Sequence, residues 1–334
     1  MELPIIALVA GFITIYLSAD HFTENSAMIA STYKISPLII GIVILGFGTS
    51  APEMLVSGLA AFEEHPGLSI GNAFGSNIFN IALALGITAI ITPIKVDLKS
   101  IKNEWFVLMG FTFIAGLLLW VGKSLSFYDG IFLLVMLIGF LVFTFYESKK
   151  VHHEFDIHSS KAESKQKWKI WRNLILSLTV LIVSAKFIVY GGTSLARIFG
   201  VSDLIIGLTI VALGTSVPEL AVSISSAIKK QHQMVVGNII GSNIFNTVAV
   251  LAIPALISTS DISLISTSDV SGIWPTYSVF FLDFGVMLFL TVGIGLFLFV
   301  PGMGGKRKHQ ISQGEGIFFI LVLFAYLSQR LLLL

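Results

Sequence analysis

The 334-residue chain contains no cysteine, and only 12% of it is charged. The first absence excludes disulfides and thiolate-held metals. The second excludes an ordinary water-facing surface, because 55% of the residues are hydrophobic and the charges gather between long apolar runs. No G-x-x-x-x-G-K-[ST] loop is present to hold a nucleotide, and no nucleic-acid partner is expected. Lys and Arg are missing near the N-terminus, where Glu2 stands, so the basic region of a cleaved signal peptide is lacking. The first apolar run is therefore expected to be retained.

What is present reads as a polytopic, all-α membrane protein. Apolar runs long enough to cross a bilayer predict ten helices, at roughly 4–32, 35–62, 69–92, 103–121, 128–146, 170–198, 202–228, 235–257, 280–300 and 315–333. Sixteen of the 20 Lys and Arg residues fall at odd-numbered connections between these helices. By the positive-inside rule those connections are cytoplasmic, and both termini are expected outside the cytoplasm. Between the fifth and sixth helices lies a charged stretch, 147–169, read as a cytoplasmic linker. Its histidines His152, His153 and His158 are candidates for metal sensing. The Ser-Thr-Ser-Asp repeats at 258–261 and 266–269 read as a solvated outer loop.

The chain repeats itself. Residues 35–91 align without a gap on 201–257 at a constant offset of 166, with 26 identities in 57 positions. The offset spans five predicted helices, an odd number, so the copies cross the membrane in opposite senses. That predicts two inverted five-helix repeats, 1–146 and 170–334, an architecture in which secondary transporters bind substrate near the midplane.

Inside each copy a helix is interrupted by proline next to an acid, Gly48-Thr-Ser-Ala-Pro-Glu53 and Gly214-Thr-Ser-Val-Pro-Glu219. Proline removes an amide hydrogen and clashes with the carbonyl four residues earlier, so a kink is expected at each. Broken membrane helices persist where they line a cavity or coordinate an ion. Thr49, Ser50, Glu53, Thr215, Ser216 and Glu219 offer only oxygen, which suits sodium, calcium or magnesium, and a flexible cage of several oxygens favours calcium over magnesium. An ionised side chain at a helix centre costs roughly 2.5 to 3.5 kcal/mol on insertion scales, and a bound cation would offset it. Together Glu53 and Glu219 would neutralise one calcium ion, two sodium ions or two protons.

Other features carry plainer expectations. Gly71/Gly75 and Gly237/Gly241 have the spacing of a close-packing surface. Ser76, Asn77 and Asn80, with Ser242, Asn243 and Asn246, read equally as interhelical hydrogen-bond partners or as further oxygen donors. Glu104 and Asp283 are expected to open the fourth and ninth helices, favoured by the N-terminal dipoles. Asp20 and Lys186 occupy matching positions of the first and sixth helices and read as interfacial, with gating as the alternative.

The paired motifs, completed by G-N-A-F-G-S-N-I-F-N at 71–80 and G-N-I-I-G-S-N-I-F-N at 237–246, resemble the two alpha-repeats of the sodium/calcium exchangers, within the calcium/cation antiporter superfamily. The resemblance covers essentially the whole chain. It implies a secondary antiporter, not an enzyme, that exchanges calcium for sodium across a cell (inner) membrane by alternating access. It also implies that the first and sixth helices move across a core built from the second, third, seventh and eighth. Its implied ion ligands here are Glu53, Glu219, Thr49, Ser50, Thr215, Ser216, Ser76, Asn80, Ser242 and Asn246, with the carbonyls of Gly46 and Ala212. No cofactor is implied; calcium and sodium are the cargo, protons and potassium stay open as further ions, and the bilayer is the partner. The chain departs from the pattern at Asn246, where well-known exchangers of this architecture often carry aspartate. Asparagine supplies an oxygen but cannot titrate. The alternatives left standing are calcium/proton exchange through the same glutamates and a cation channel.

Overall fold

The described residues are mostly helical, and the helix ends are set by local chemistry rather than by where the apolar residues stop. The structure, a computed structural model, describes residues 2–63, 66–122, 124–150, 164–200, 212–257, 262–263, 277–300 and 309–332. Helix α1 spans Glu2–Tyr33, α2 Pro37–Thr49 and α3 Ala51–Phe62. Helix α4 begins as Pro66–Phe79 and continues through a π-helical turn, Asn80–Leu85, into Gly86–Ile91. Then come α5 (Leu98–Gly122), α6 (Phe127–Lys150), α7 (Ser164–Ile198), α8 (Ala212–Thr215) and α9 (Val217–Ile228). Helix α10 (His232–Ile257) holds another π-helical turn at Asn246–Val250, as α2 does at Gly41–Gly46, and α11 (Tyr277–Phe299) and α12 (Gln313–Leu332) complete the order. Seven of these helices are long and apolar enough to cross a membrane, or eight if the bent pair α2–α3 counts as one span.

Several expectations are corrected at the helix ends. Helix α5 starts at Leu98, where Asp97 takes hydrogen bonds from the Lys99 amide at 3.2 Å and from Ser100 Oγ at 2.6 Å. Glu104 therefore lies a full turn beyond the first, and it is buried, outside the reach of the terminal dipole. Asp283 likewise sits in the second turn of α11, which begins at Tyr277. It is 2% exposed and accepts from Tyr326 Oη at 2.9 Å and Arg330 at 3.1 Å. Helices α6 and α7 extend into the expected 147–169 linker, to Lys150 and from Ser164, because Lys, Glu and Gln propagate a helix well. The linker histidines, both Ser-Thr-Ser-Asp repeats and all of 202–211 lie outside the described residues.

Helices α1 and α7 run antiparallel along one another. Near one end Trp171 Nε1 donates to Tyr33 Oη at 2.9 Å, in the middle Ser184 donates to Thr14 at 2.7 Å, and near the other Gly191 lies against the Pro4 carbonyl. This pair has a small hydrophobic core of its own, shared with the starts of α2, α9 and α10. The remaining helices surround a larger core centred on α4 and α10. Leu3, Phe12, Tyr16, Val135 and Phe324 point outward and are exposed, as expected of a lipid-facing surface.

The short strands tie connections together in a reciprocal way. β1 (Ile94–Lys95), after α4, pairs antiparallel with β4 (Gln310–Ile311), after α11. β2 (Ser124–Leu125), after α5, pairs with β3 (Ile262–Ser263), after α10. Helix ends repeat too. α1 is followed by Lys34 at φ 54° and α7, 166 positions on, by Gly200 at φ 78°, each a left-handed C-terminal residue that ends its helix.

Candidate cation site

Two breaks organise the centre of the molecule. Helices α2 and α3 meet at 41° across Ser50, which leaves helical geometry with φ −81° and ψ 1°. Ser216 does the same between α8 and α9, with φ −89° and ψ 1°. Pro52 and Pro218 follow within the first two positions of the next helix, where a missing amide hydrogen costs little and the ring stops the preceding helix from continuing. Glu53 and Glu219 thereby fall in first turns, where peptide dipoles favour negative charge.

Each break is tied to a neighbouring helix by the same two bonds. Asn72 of α4 donates to the Glu53 carbonyl at 3.0 Å and to Ser57 Oγ at 3.1 Å. Asn238 of α10 donates to the Glu219 carbonyl at 3.3 Å and to Ser223 Oγ at 3.1 Å. The sequence reading did not single out these four residues, although each pair is an identity at the repeat offset.

Polar side chains from both copies meet around the glutamates. Ser50 Oγ donates to Glu219 Oε1 at 3.4 Å. Thr49 Oγ1 lies 3.0 Å from the Leu45 carbonyl, 3.2 Å from Asn238 Oδ1 and 3.1 Å from Ser242 Oγ. Ser76 and both glutamates are buried. Asn80 and Asn246 each open a π-helical turn, a local widening common at functional sites. Asn80 donates to Asn243 Oδ1 at 3.1 Å, and Asn77 donates to Thr247 Oγ1 at 2.8 Å. The Gly46 carbonyl already accepts from the Ser50 amide at 3.2 Å and Ser242 Oγ at 3.3 Å. Thr215 is buried, and Ala212 is helical.

The unpaired atoms are mostly oxygen. Both Glu53 oxygens, Glu219 Oε2, Asn80 Oδ1, Asn246 Oδ1 and Ser216 Oγ are buried without a hydrogen-bond partner. Each such group costs about 1–3 kcal/mol, and charged ones more, unless something else satisfies it. Among the described residues no Lys or Arg pairs with either glutamate, and no cluster of three or more His, Asp or Glu forms. The donor set is two carboxylates with neutral hydroxyls and amides, the chemistry of a hard-cation site.

The sequence profile of the family described as sodium/calcium exchanger protein matches residues 3–146 and 169–332. The putative antiporter CaxA of Alkalimonas amylolytica is 39% identical, over 77% of this chain and 82% of its own. The inner membrane protein YrbG of Escherichia coli is 33% identical, over 95% and 93%. The sodium/calcium exchanger MaX1 of Methanosarcina acetivorans is 27% identical, over 77% and 85%. A solved structure of the sodium-calcium exchanger NCX_Mj superposes with a TM-score of 0.80 and 31% identity, covering 98% of both chains. Over nearly its whole length, in sequence and in three dimensions, the chain belongs to the sodium/calcium exchanger family.

Proposed function

We propose that this protein is a secondary antiporter that moves calcium against sodium by alternating access, with Glu53 and Glu219 as the shared cation ligands. The observation that carries this reading is the burial of both carboxylates at paired helix breaks with three of their four oxygens unpartnered. Thr49, Ser50, Ser76, Asn80, Thr215, Ser216, Ser242 and Asn246, with the carbonyls of Gly46 and Ala212, complete the set from which the cage is drawn. Because Ser242 occupies the Gly46 carbonyl, an ion reaching that oxygen displaces a hydroxyl.

The same reading takes the chain as ten membrane crossings in two inverted repeats, 1–146 and 170–334, joined by the linker at 147–169. The strand pairings support it. An offset of five crossings exchanges the connection holding β1 with that holding β3, and β2 with β4, so the β1–β4 pair maps onto the β3–β2 pair. Each pair also joins two odd-numbered or two even-numbered connections, which in this arrangement share a side. The charge bias then places odd connections in the cytoplasm and both termini outside it, in a cell membrane.

Radiolabelled calcium uptake into sodium-loaded proteoliposomes tests the reading. Uptake should require the sodium gradient, fall to background in potassium-loaded vesicles, and be abolished by Glu53→Gln and by Glu219→Gln. Uptake driven by a pH gradient alone would reassign the counter-ion, and uptake unchanged in both variants would remove the site.

A further inference from the structure

The halves of the molecule are related by sequence but not in the same conformation, and the difference is centred on α1 and α7. Helix α1 packs along α9, whereas the equivalent pair, α7 and α3, barely meet. The exposed faces record it: Ser225 of α9 is 6% exposed, and its counterpart Leu59 of α3 is 52% exposed.

Where α1 meets α9, Asp20 accepts from Ser225 Oγ at 3.1 Å and forms an ion pair with Lys229 at 3.0 Å. Glu24 lies 3.9 Å from the same lysine. The offset of 166 carries Asp20 to Lys186, inside the ungapped match of Leu17-Ser-Ala-Asp20 with Val183-Ser-Ala-Lys186, and carries Lys229 back to Glu63. Both charges reverse, so the mate of an attractive pair is again an attractive pair. Two independent sign changes that cancel preserve one property, attraction between the moving helix and the end of the broken one. In this structure Lys186 is exposed and makes no ion pair with any described residue. An ammonium this far along a membrane helix gains from any carboxylate it can reach.

We propose that Asp20–Lys229 and Lys186–Glu63 are alternating ionic latches, the first closed in the conformation described here and the second closed when access switches sides. The proposal rests on the alternating-access reading above. An inverted repeat supplies the geometry, because exchanging the conformations of the two halves brings α7 onto α3 as α1 now lies on α9. Under the expected orientation Lys229 is at the cytoplasmic end of α9 and Glu63 at the outer end of α3, so each latch closes one side. The latches are unequal. Ser225 and Glu24, which support the first, correspond to Leu59 and Tyr190, so the second has no auxiliary acceptor or donor at those places.

The lack of cysteine makes a direct test clean. Two double variants, Asp20→Cys/Lys229→Cys and Glu63→Cys/Lys186→Cys, are reconstituted and treated with a short bis-methanethiosulfonate under sodium-saturated and calcium-saturated conditions. The expected result is intramolecular cross-linking of both. Adding Asp20→Asn to the Glu63/Lys186 double variant should raise its yield about two- to fivefold, the range available to a partly exposed ion pair. Absence of the second product under every ion condition, in a preparation whose first pair does cross-link, would overturn the proposal. So would a yield indifferent to Asp20→Asn. The readout is position rather than flux, so a failure of sodium coupling in the uptake assay leaves this result interpretable.

Discussion

Ser50 Oγ, from the first copy of the repeat, donates to Glu219 Oε1, from the second, at 3.4 Å. The proposed site is thus shared between the two copies of the sequence repeat, and the hydroxyl of one break touches the acid of the other. Ser50→Ala removes one oxygen but no charge, so it should weaken apparent calcium affinity about two- to tenfold while leaving maximal exchange nearly intact. Uptake measured across a calcium titration distinguishes this from loss of the site. A collapse as complete as that of Glu219→Gln would mean that Ser50 shapes the break rather than the cage.

Asn72 and Asn238 offer a prediction about stability. Each pins the carbonyl of a site glutamate to a neighbouring helix. Replacing either by alanine leaves a buried carbonyl and a buried serine hydroxyl short of a donor, at about 1–3 kcal/mol. Thermal unfolding in detergent should show a lower midpoint for Asn72→Ala and for Asn238→Ala. Ser57→Ala, which removes only one acceptor, should fall between them and the native chain. Equal midpoints for all would show that water replaces these tethers.

The split between what sequence reveals and what it hides follows from the physics of each feature. The helix breaks were readable because proline has one backbone consequence wherever it stands, and the doubled Pro-Glu marked two positions at once. The Gly237/Gly241 packing surface was readable for the same reason, since only a missing side chain permits such contact. The π-helical turns at Asn80 and Asn246 were not, because a one-residue change of hydrogen-bond register leaves no signature in side-chain type. Asn72 and Asn238 were overlooked because their role depends on a partner helix 19 positions away, a relation that only their doubling betrays. Glu104 and Asp283 were misread because apolar runs locate the membrane, while helix ends are set by caps such as Asp97 that lie well before it.

Gly241 lies where α10 has no room for a side chain. A Cβ on Gly241 would meet the Ile42 carbonyl oxygen at 2.6 Å and Ile42 Cα at 2.7 Å, both rigid backbone. Gly241→Ala should destabilise the protein by about 1–3 kcal/mol or more through overpacking of α2 on α10. The melting temperature of the purified variant decides the matter, and an unchanged midpoint would mean that α2 shifts off α10 at little cost.

Asp283 and Arg330 allow the helix-end reading to be separated from the ion-pair reading. If Asp283 acted only on the dipole of α11, Asp283→Leu would cost under about 1 kcal/mol and would be indifferent to Arg330. As one member of a buried pair, its removal takes the carboxylate from the buried Arg330 guanidinium, and breaking such a pair costs about 3–5 kcal/mol. Tyr326, which also donates to Asp283, loses this acceptor as well. Asp283→Leu should therefore lower the unfolding midpoint strongly, and Asp283→Leu/Arg330→Met should recover part of the loss, because the charge that lost its counter-ion is gone. A double variant less stable than the single would mean that Arg330 has a second structural role strong enough to outweigh its desolvation. The pair bridges α11 and α12, neither of which carries a residue of the proposed cage, so calcium exchange by the double variant at a permissive temperature should match the native protein.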